Sequence, residues 1–339
     1  MKGLLLEGAS KLTEITREEQ FESITDAKVK ITKAMITDND ISLYSKERES
    51  FNPIIFGSFG VGLICEVGSN CFGISKNKRV YISPYAPCKN CNSCIGEKES
   101  ECSNLLVAGE TIDGFIKNFG IYPCSRLFEL PDSISYSEAI YIEYISLAVE
   151  IIDKLKIKKC EHIAILGGGT LGNILAQLIS YYQAVPILID NDEKNVEASK
   201  NCGIYYSFKN DSDIQKKINN ITGGQMAEKV IYISNSQINT RLALSLARFG
   251  ASVAYVGFEY TSITVNLALA MKKQLQILAI NNGWKNTTTA INLLINKAVN
   301  VEFLAKKEIK FNEVENETKK LAIQYEKNGT ISDLIVNFD

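Results

Sequence analysis

Over residues 1–147, apolar positions come in short runs broken by Gly, Pro and polar residues, as at 3–6, 29–35, 62–67, 79–83 and 121–123. Runs of this length with such punctuation predict short antiparallel strands and a strand-rich, barrel-like domain. Near residue 148 the pattern changes to alternating strand and helix. Ile163, Ala164, Ile165 and Leu166 predict a buried parallel strand, and Leu171, Ile174, Leu175, Leu178 and Ile179 then recur at helical spacing. Further strands are expected at 186–190, 230–233, 252–256 and 275–280, with intervening helices that stop at Gly203 and Gly250. About six strands make a full doubly wound sheet. From 280 the pattern is mixed, with helices expected at 288–297 and 314–325 and a last strand at 334–338. The expected organisation is therefore α/β: a strand-rich domain over 1–147, a doubly wound domain over 148–279 and a C-terminal return over 280–339.

Between the first strand and first helix of the doubly wound domain lie Gly167-Gly168-Gly169-Thr170-Leu171-Gly172, and the next strand ends in Asp190. This is G-x-G-x-x-G with a strand before it, a helix after it and a carboxylate at the end of the second strand. One glycine turns the chain, one lets a pyrophosphate approach the backbone, and one lets helix and strand pack closely. Amides at the helix start, those of Thr170 and Leu171 among them, then face the phosphates. Asp190 is placed to accept from both hydroxyls of an adenosine ribose, and Asn191 follows it rather than a basic residue, which favours NAD over NADP. The alternative is a glycine-rich turn in some other doubly wound domain.

Cys88, Cys91, Cys94 and Cys102 read C-x2-C-x2-C-x7-C. Four thiolates at this spacing wrap one tetrahedral zinc and leave no position for water, so the ion would stabilise a loop, the lobe 86–103, and do no chemistry. Iron–sulfur ligation is the rival, and disulfides within the cluster fit the spacing less well. Nine cysteines, an odd number with four of them clustered, point to metal binding in a reducing compartment.

Charge excludes some classes of function. The 339 residues hold 37 Lys+Arg and 39 Asp+Glu, a formal charge of −2, which recruits neither nucleic acid nor an anionic membrane. The N-terminal apolar run is broken by Glu7, too early for a signal peptide, and no run reaches membrane-spanning length. A soluble, cytoplasmic protein is expected.

A cysteine lobe in a strand-rich domain, followed by a dinucleotide-binding domain and a C-terminal return, resembles the zinc-type medium-chain alcohol and polyol dehydrogenase family over nearly the whole chain. Residues 57–68, Gly-Ser-Phe-Gly-Val-Gly-Leu-Ile-Cys-Glu-Val-Gly, keep the framework of that family's G-H-E-x-x-G-x-V-x-x-V-G segment. Lys78-Arg79-Val80 with Pro84 resembles its G-D-R-V strand, and Gly114-Phe115 its loop after the zinc lobe. The resemblance implies a GroES-like first domain, a Rossmann second domain, NAD, one structural zinc, a small-molecule substrate and a homodimer or homotetramer. Part of its contact is expected at an edge within 252–280.

The family's catalytic zinc pattern is not kept. Thr37 stands where a Cys ligand is usual, Ser42 where a proton-relay His is common, and Ser58-Phe59 where the family has His-Glu. Only Glu143 survives, and Thr or Ser hydroxyls are poor zinc ligands beside thiolate and imidazole. The single histidine, His162, lies at the start of the dinucleotide domain and supports no triad, zinc site or relay. The groups left near the lost metal are Thr37, Asp40, Ser42, Ser58 and Glu143. Burial of Asp40 and Glu143 would raise their pKa values and make them proton donors or bases near neutral pH, while Ser42 and Ser58 would orient a substrate oxygen or a water. The alternative is that these are relics tied to backbone amides. Cys65 is expected to pack in the core, and Tyr44 is a further candidate donor. The expected activity is zinc-independent hydride transfer between NAD(H) and a small polar or activated carbonyl, imine or enone. A non-catalytic NAD(H) sensor or assembly subunit is one alternative, and a lyase or epimerase that holds NAD tightly is the other.

Overall fold

The computed structural model describes residues 1–45, 52–233, 238–257, 263–304, 306–328 and 331–338. The chain forms two compact units, one of Met1–Glu143 with Lys306–Lys327 and Asp333–Asp339, the other of Tyr144–Ala305 with Asn328–Ser332. The return to the first unit thus begins at Lys306, not at 280. Residues after 280 are held in the second unit by close packing: a Cβ on Gly283 would lie 2.1 Å from the Ser146 carbonyl oxygen. Asn286 Nδ2 also donates to Glu150 at 2.9 Å, and Gln177 Nε2 to the Asn300 carbonyl at 2.9 Å.

In the first unit a seven-stranded sheet runs in the order Leu127–Glu129, Arg79–Ile82, Phe59–Val67, Asp26–Ile36, Asp333–Asn337, Lys306–Lys310, with Phe119–Pro123 also pairing with Asp26–Ile36. Asp26–Ile36 is its spine. Val29 and Ile31 are buried where Lys28 and Lys30 are partly exposed, the alternation of a strand with one face in the core. The Asp333–Asn337 strand pairs antiparallel with it, Leu334 opposite Ile36 and Asn337 opposite Lys33. The N-terminal strand Lys2–Gly8 belongs to a separate three-stranded sheet.

A disulfide joins Cys71 to Cys124. The strands that carry these ends flank Asp26–Ile36, Val67 opposite Ala27 and Pro123 opposite Asp26, so the bond ties one to the other across the spine. Nothing in the cysteine spacing pointed to this pair, and the bond runs against the reducing compartment expected from the cysteine count. The bridge spans 53 residues and encloses the cysteine lobe; closing a loop of that length stabilises by up to about 4 kcal/mol in the chain-entropy account. Thermal melts with and without reductant should therefore show a lower Tm on reduction. Cys71→Ser should show that lower Tm already and no response to reductant.

The second unit holds a six-stranded, all-parallel sheet in the order Tyr206–Lys209, Val185–Asp190, His162–Leu166, Ala227–Ile233, Ala247–Val256, Gln276–Ile280. The first three strands in sequence lie on one side and the last three on the other, so the order reverses at His162–Leu166, where doubly wound sheets bind ligands beyond the strands' C-terminal ends. Both faces of the central strands are covered, and Ile163, Ala164, Ile165 and Leu166 are fully buried. Part of the edge expected at 252–280, residues 258–262, lies outside the described residues. Among the described residues, no helix is long and apolar enough to cross a membrane.

Candidate functional site

The dinucleotide turn sits at the reversal point. Gly167 has φ +114°, which a side chain rarely tolerates, and a Cβ on Gly172 would lie 1.8 Å from the Gly167 carbonyl oxygen. Gly169, the N-cap of the Thr170–Tyr181 helix, has nothing within 4 Å of its would-be Cβ. The backbone there is open to a phosphate, at the positive end of the helix. Leu171 itself is buried, so its contribution to a phosphate would come through its backbone. Asp190 is buried beside the turn: Oδ2 accepts from Gly168 N–H, and Oδ1 from Asp192 N–H at 2.7 Å and Asn195 Nδ2 at 3.2 Å. Burial raises its pKa, against those hydrogen bonds. These residues fit a dinucleotide, and NAD would supply the hydride acceptor or donor. Asp190→Ala should weaken NADH binding by roughly tenfold or more, the scale of two lost ribose hydrogen bonds, with a smaller change for NADPH. Titration of cofactor fluorescence with both nucleotides checks this.

The four lobe thiols converge. Their Sγ atoms lie within 4.8 Å of one another, with Cys88–Cys94 at 4.0 Å and Cys91–Cys102 at 3.9 Å. Tetrahedral zinc at ~2.3 Å from each sulfur needs sulfurs about 3.8 Å apart, so the geometry fits that ion. Backbone N–H groups of Cys94 and Ser103 hold the Cys91 thiol well below its usual range, towards thiolate.

The third centre grows from a helix cap. Thr37 lies between the end of the spine strand at Ile36 and the Asp38–Ser45 helix, and Asp40, three residues on, reaches back to the Thr37 N–H at 2.7 Å. The same Oδ2 accepts from Thr37 Oγ1 at 2.9 Å and from Ser58 Oγ at 2.8 Å. Asp40 is 0% exposed, and its Oδ1 has no hydrogen-bond partner. Desolvation pushes its pKa up to about 6, hydrogen bonds from Thr37 and Ser58 opposing it. Ser58 is also buried, 7% exposed, with its hydroxyl turned to the carboxyl.

Glu143 has a different partner, Tyr81 Oη, which donates to Oε2 at 2.8 Å with both side chains fully buried. Burial and this carboxylate hold the Tyr81 phenol well above its usual pKa, so it stays a donor. The structure therefore joins Asp40 to Ser58 and Thr37 and places Glu143 with Tyr81, a residue the sequence analysis did not single out. Ser42 is buried on the Asp38–Ser45 helix, and no hydrogen bond links it to Asp40 or Ser58. Tyr44 is not a substrate donor: its hydroxyl is committed to the Ser10 carbonyl at 3.1 Å. Cys65 is half-buried, and its neighbour Ile64 takes the core position. His162 faces Glu228, Nδ1 to Oε2 at 3.5 Å, at the start of its strand.

Thr37, Ser58 and Glu143 do not fit a catalytic zinc. Two are neutral hydroxyls already donating to Asp40, and the third is one carboxylate bound by a phenol. Among the described residues, three or more Cys, His, Asp or Glu ligand atoms come together in the cysteine lobe alone.

A GroES-like unit with a thiolate lobe and a Rossmann unit with an NAD-type turn define a dinucleotide-dependent dehydrogenase of the medium-chain type. The family model for the alcohol dehydrogenase GroES-like domain matches residues 23–132, and that for the zinc-binding dehydrogenase domain matches 170–296. A zinc-type alcohol dehydrogenase-like protein of Haemophilus influenzae, itself uncharacterised, is 28% identical over 295 residues, 86% of each chain. A probable D-xylulose reductase of Aspergillus fumigatus is 24% identical over 79% of this chain and 77% of its own. A solved Escherichia coli alcohol dehydrogenase in complex with NADH shares the fold, with TM-score 0.85 and 21% identity over 100% of this chain and 99% of its own. The chain belongs to the zinc-type medium-chain alcohol dehydrogenase family.

Proposed function

We propose that this chain transfers hydride between NAD(H) and a small polar or activated carbonyl, imine or enone without a catalytic zinc, and that Ser58 and Asp40 handle the proton. The observation that carries this is the hydrogen bond from Ser58 Oγ to the buried Asp40 carboxyl at 2.8 Å, Ser58 standing where the family pattern has a zinc-ligand histidine. In the reducing direction a carbonyl oxygen gains negative charge as hydride arrives at carbon. Ser58 gives its proton to that oxygen and takes the proton of Asp40, whose pKa near 6 lets it hold one in mildly acidic solution. The oxidising direction reverses both transfers. Thr37 keeps Asp40 oriented, and the Tyr81–Glu143 pair supplies a second buried carboxyl. A ketose reductase among the relatives supports a small polar carbonyl as substrate.

Further parts of the proposal are one structural zinc in the cysteine lobe, whose ion protects those thiols, a cytoplasmic setting, and a homodimer or homotetramer. The exposed edge strand Gln276–Ile280 supports the last, and light scattering tests it.

The deciding experiment incubates the protein with NADH deuterated at C4 and a panel of small ketones, imines and enones. Deuterium in a product supports the proposal. Tight NADH binding with no transfer across the panel would select the sensor, and substrate conversion with bound cofactor left unconsumed would select the lyase or epimerase.

A further inference from the structure

A cavity of about 310 Å³ opens on the first unit, between the start of the N-terminal strand and the end of the chain. Its apolar walls are Phe311 and Phe338, both half-buried, with ring centroids 5.6 Å apart and planes inclined at 44°. Phe338 is held in place by its N–H, which donates to the Thr32 carbonyl at 3.1 Å. The polar lining is two ammonium groups, Lys2 and Lys310, and the amides of Asn118, Asn312 and Asn337. Among the described residues, no carboxylate lines it.

The two lysines differ. Lys2 Nζ sits 5.5 Å from the centre of the Phe311 ring and pairs with Glu14 at 3.0 Å, outside the cavity. Lys310 forms no ion pair among the described residues; the nearby Glu313 is engaged by its backbone N–H at 2.8 Å. Among the described residues, Lys310 therefore places one positive charge with no ion-pair partner beside two aromatic faces. Such walls favour an aromatic ring in offset or tilted stacking, and the Lys310 ammonium favours an anion at the ring's edge, while the Asn337 amide already donates to Glu308 at 3.1 Å. The volume lies at the small end of ligand pockets, enough for one ring or two fused rings.

The cavity is not the proton-handling cluster. Along the paired strands Asn337 lies opposite Lys33 and Leu334 opposite Ile36, the residue before Thr37. Four residue steps of extended chain, from Lys33 to Thr37, separate the two places by about 13 Å.

We propose that this cavity binds a small aromatic carboxylate at a site separate from that of hydride transfer. The full-length protein is titrated with 4-fluorobenzoate, followed by fluorine NMR, in the presence of saturating NADH. Saturable binding is expected, weakened about tenfold or more in Lys310→Glu and for the neutral probe 4-fluorobenzamide. Lys310 is exposed, so this variant keeps the fold. Phe338→Ala should weaken binding as well, and acetate, which has no ring, should fail to compete. No saturable binding, binding that Lys310→Glu leaves unchanged, equal binding of the amide, or displacement by NADH would each overturn the proposal.

Discussion

Protein purified without added metal should carry about one zinc per chain, and Cys94→Ser should carry little or none. The lobe has few other means of holding its shape. Its two helical elements, Asn92–Ile95 and Glu99–Glu101, are a single turn each, and Ile95 is 71% exposed, so apolar packing contributes little. Cys94 is the one buried thiol, and without an ion burial pushes its pKa up to about 12, whereas a bound dication would draw off the proton. In small isolated domains structural zinc contributes on the order of 10 kcal/mol to folding, so a strong chelator should lower the Tm of the parent markedly and that of Cys94→Ser hardly at all. Elemental analysis beside thermal melts reads both. Iron in place of zinc, with visible charge-transfer absorption, would select the iron–sulfur alternative. Two zinc ions per chain would mean that Glu143 and partners rebuild a catalytic metal site, and the Ser58–Asp40 relay would then be withdrawn.

The parts of this molecule that were legible in the sequence are those specified by local spacing. Gly167, Gly169 and Gly172 are spaced for one turn, and each meets a separate local demand: a positive φ, an open approach and a contact of 1.8 Å if a Cβ were added. The cysteine lobe is equally local, since fifteen consecutive residues supply all four ligand positions. The central parallel strands are buried on both faces and so read as continuous apolar runs, whereas the edge strand Tyr206–Lys209, half-exposed and carrying Ser207 and Lys209, gave no such run and was not expected.

What was not legible depends on contacts between distant segments. Tyr81 meets Glu143 across 62 residues, and nothing in Arg79-Val80-Tyr81-Ile82 says that this tyrosine, rather than another of the fifteen, finds a carboxylate. The Cys71–Cys124 bond depends on two strands flanking a third. Tyr44 is drawn to the Ser10 carbonyl by the fold, 34 residues away. One missed signal was local. Thr37-Asp38-Asn39-Asp40 is a helix-capping sequence, which predicts that the Asp40 carboxylate turns back on Thr37, although not that Ser58 joins it.

Asp40→Asn should separate the proton-handling role from a structural one. Asparagine keeps an oxygen to accept from Thr37 N–H, Thr37 Oγ1 and Ser58 Oγ, but carries no titrating proton. In the parent, reduction should slow as pH rises through about 6, where the buried carboxyl loses its proton. The variant should lose about 10²–10³ in hydride-transfer rate, and with it that inflection. Stability gives an independent measure with a fixed sign. The folded pKa, about 6, lies above the unfolded value near 3.8, so the folded state holds the proton more tightly. The parent's stability from this group is greatest below pH 4 and is lost as pH rises to about 6. Between pH 5 and pH 8 the parent should therefore lose about 1 kcal/mol relative to Asp40→Asn, read as a widening gap in denaturant midpoints. A constant gap would show that Asp40 is ionised throughout. A flat pH profile in the parent would remove it from the proton path even if Asp40→Asn were slow.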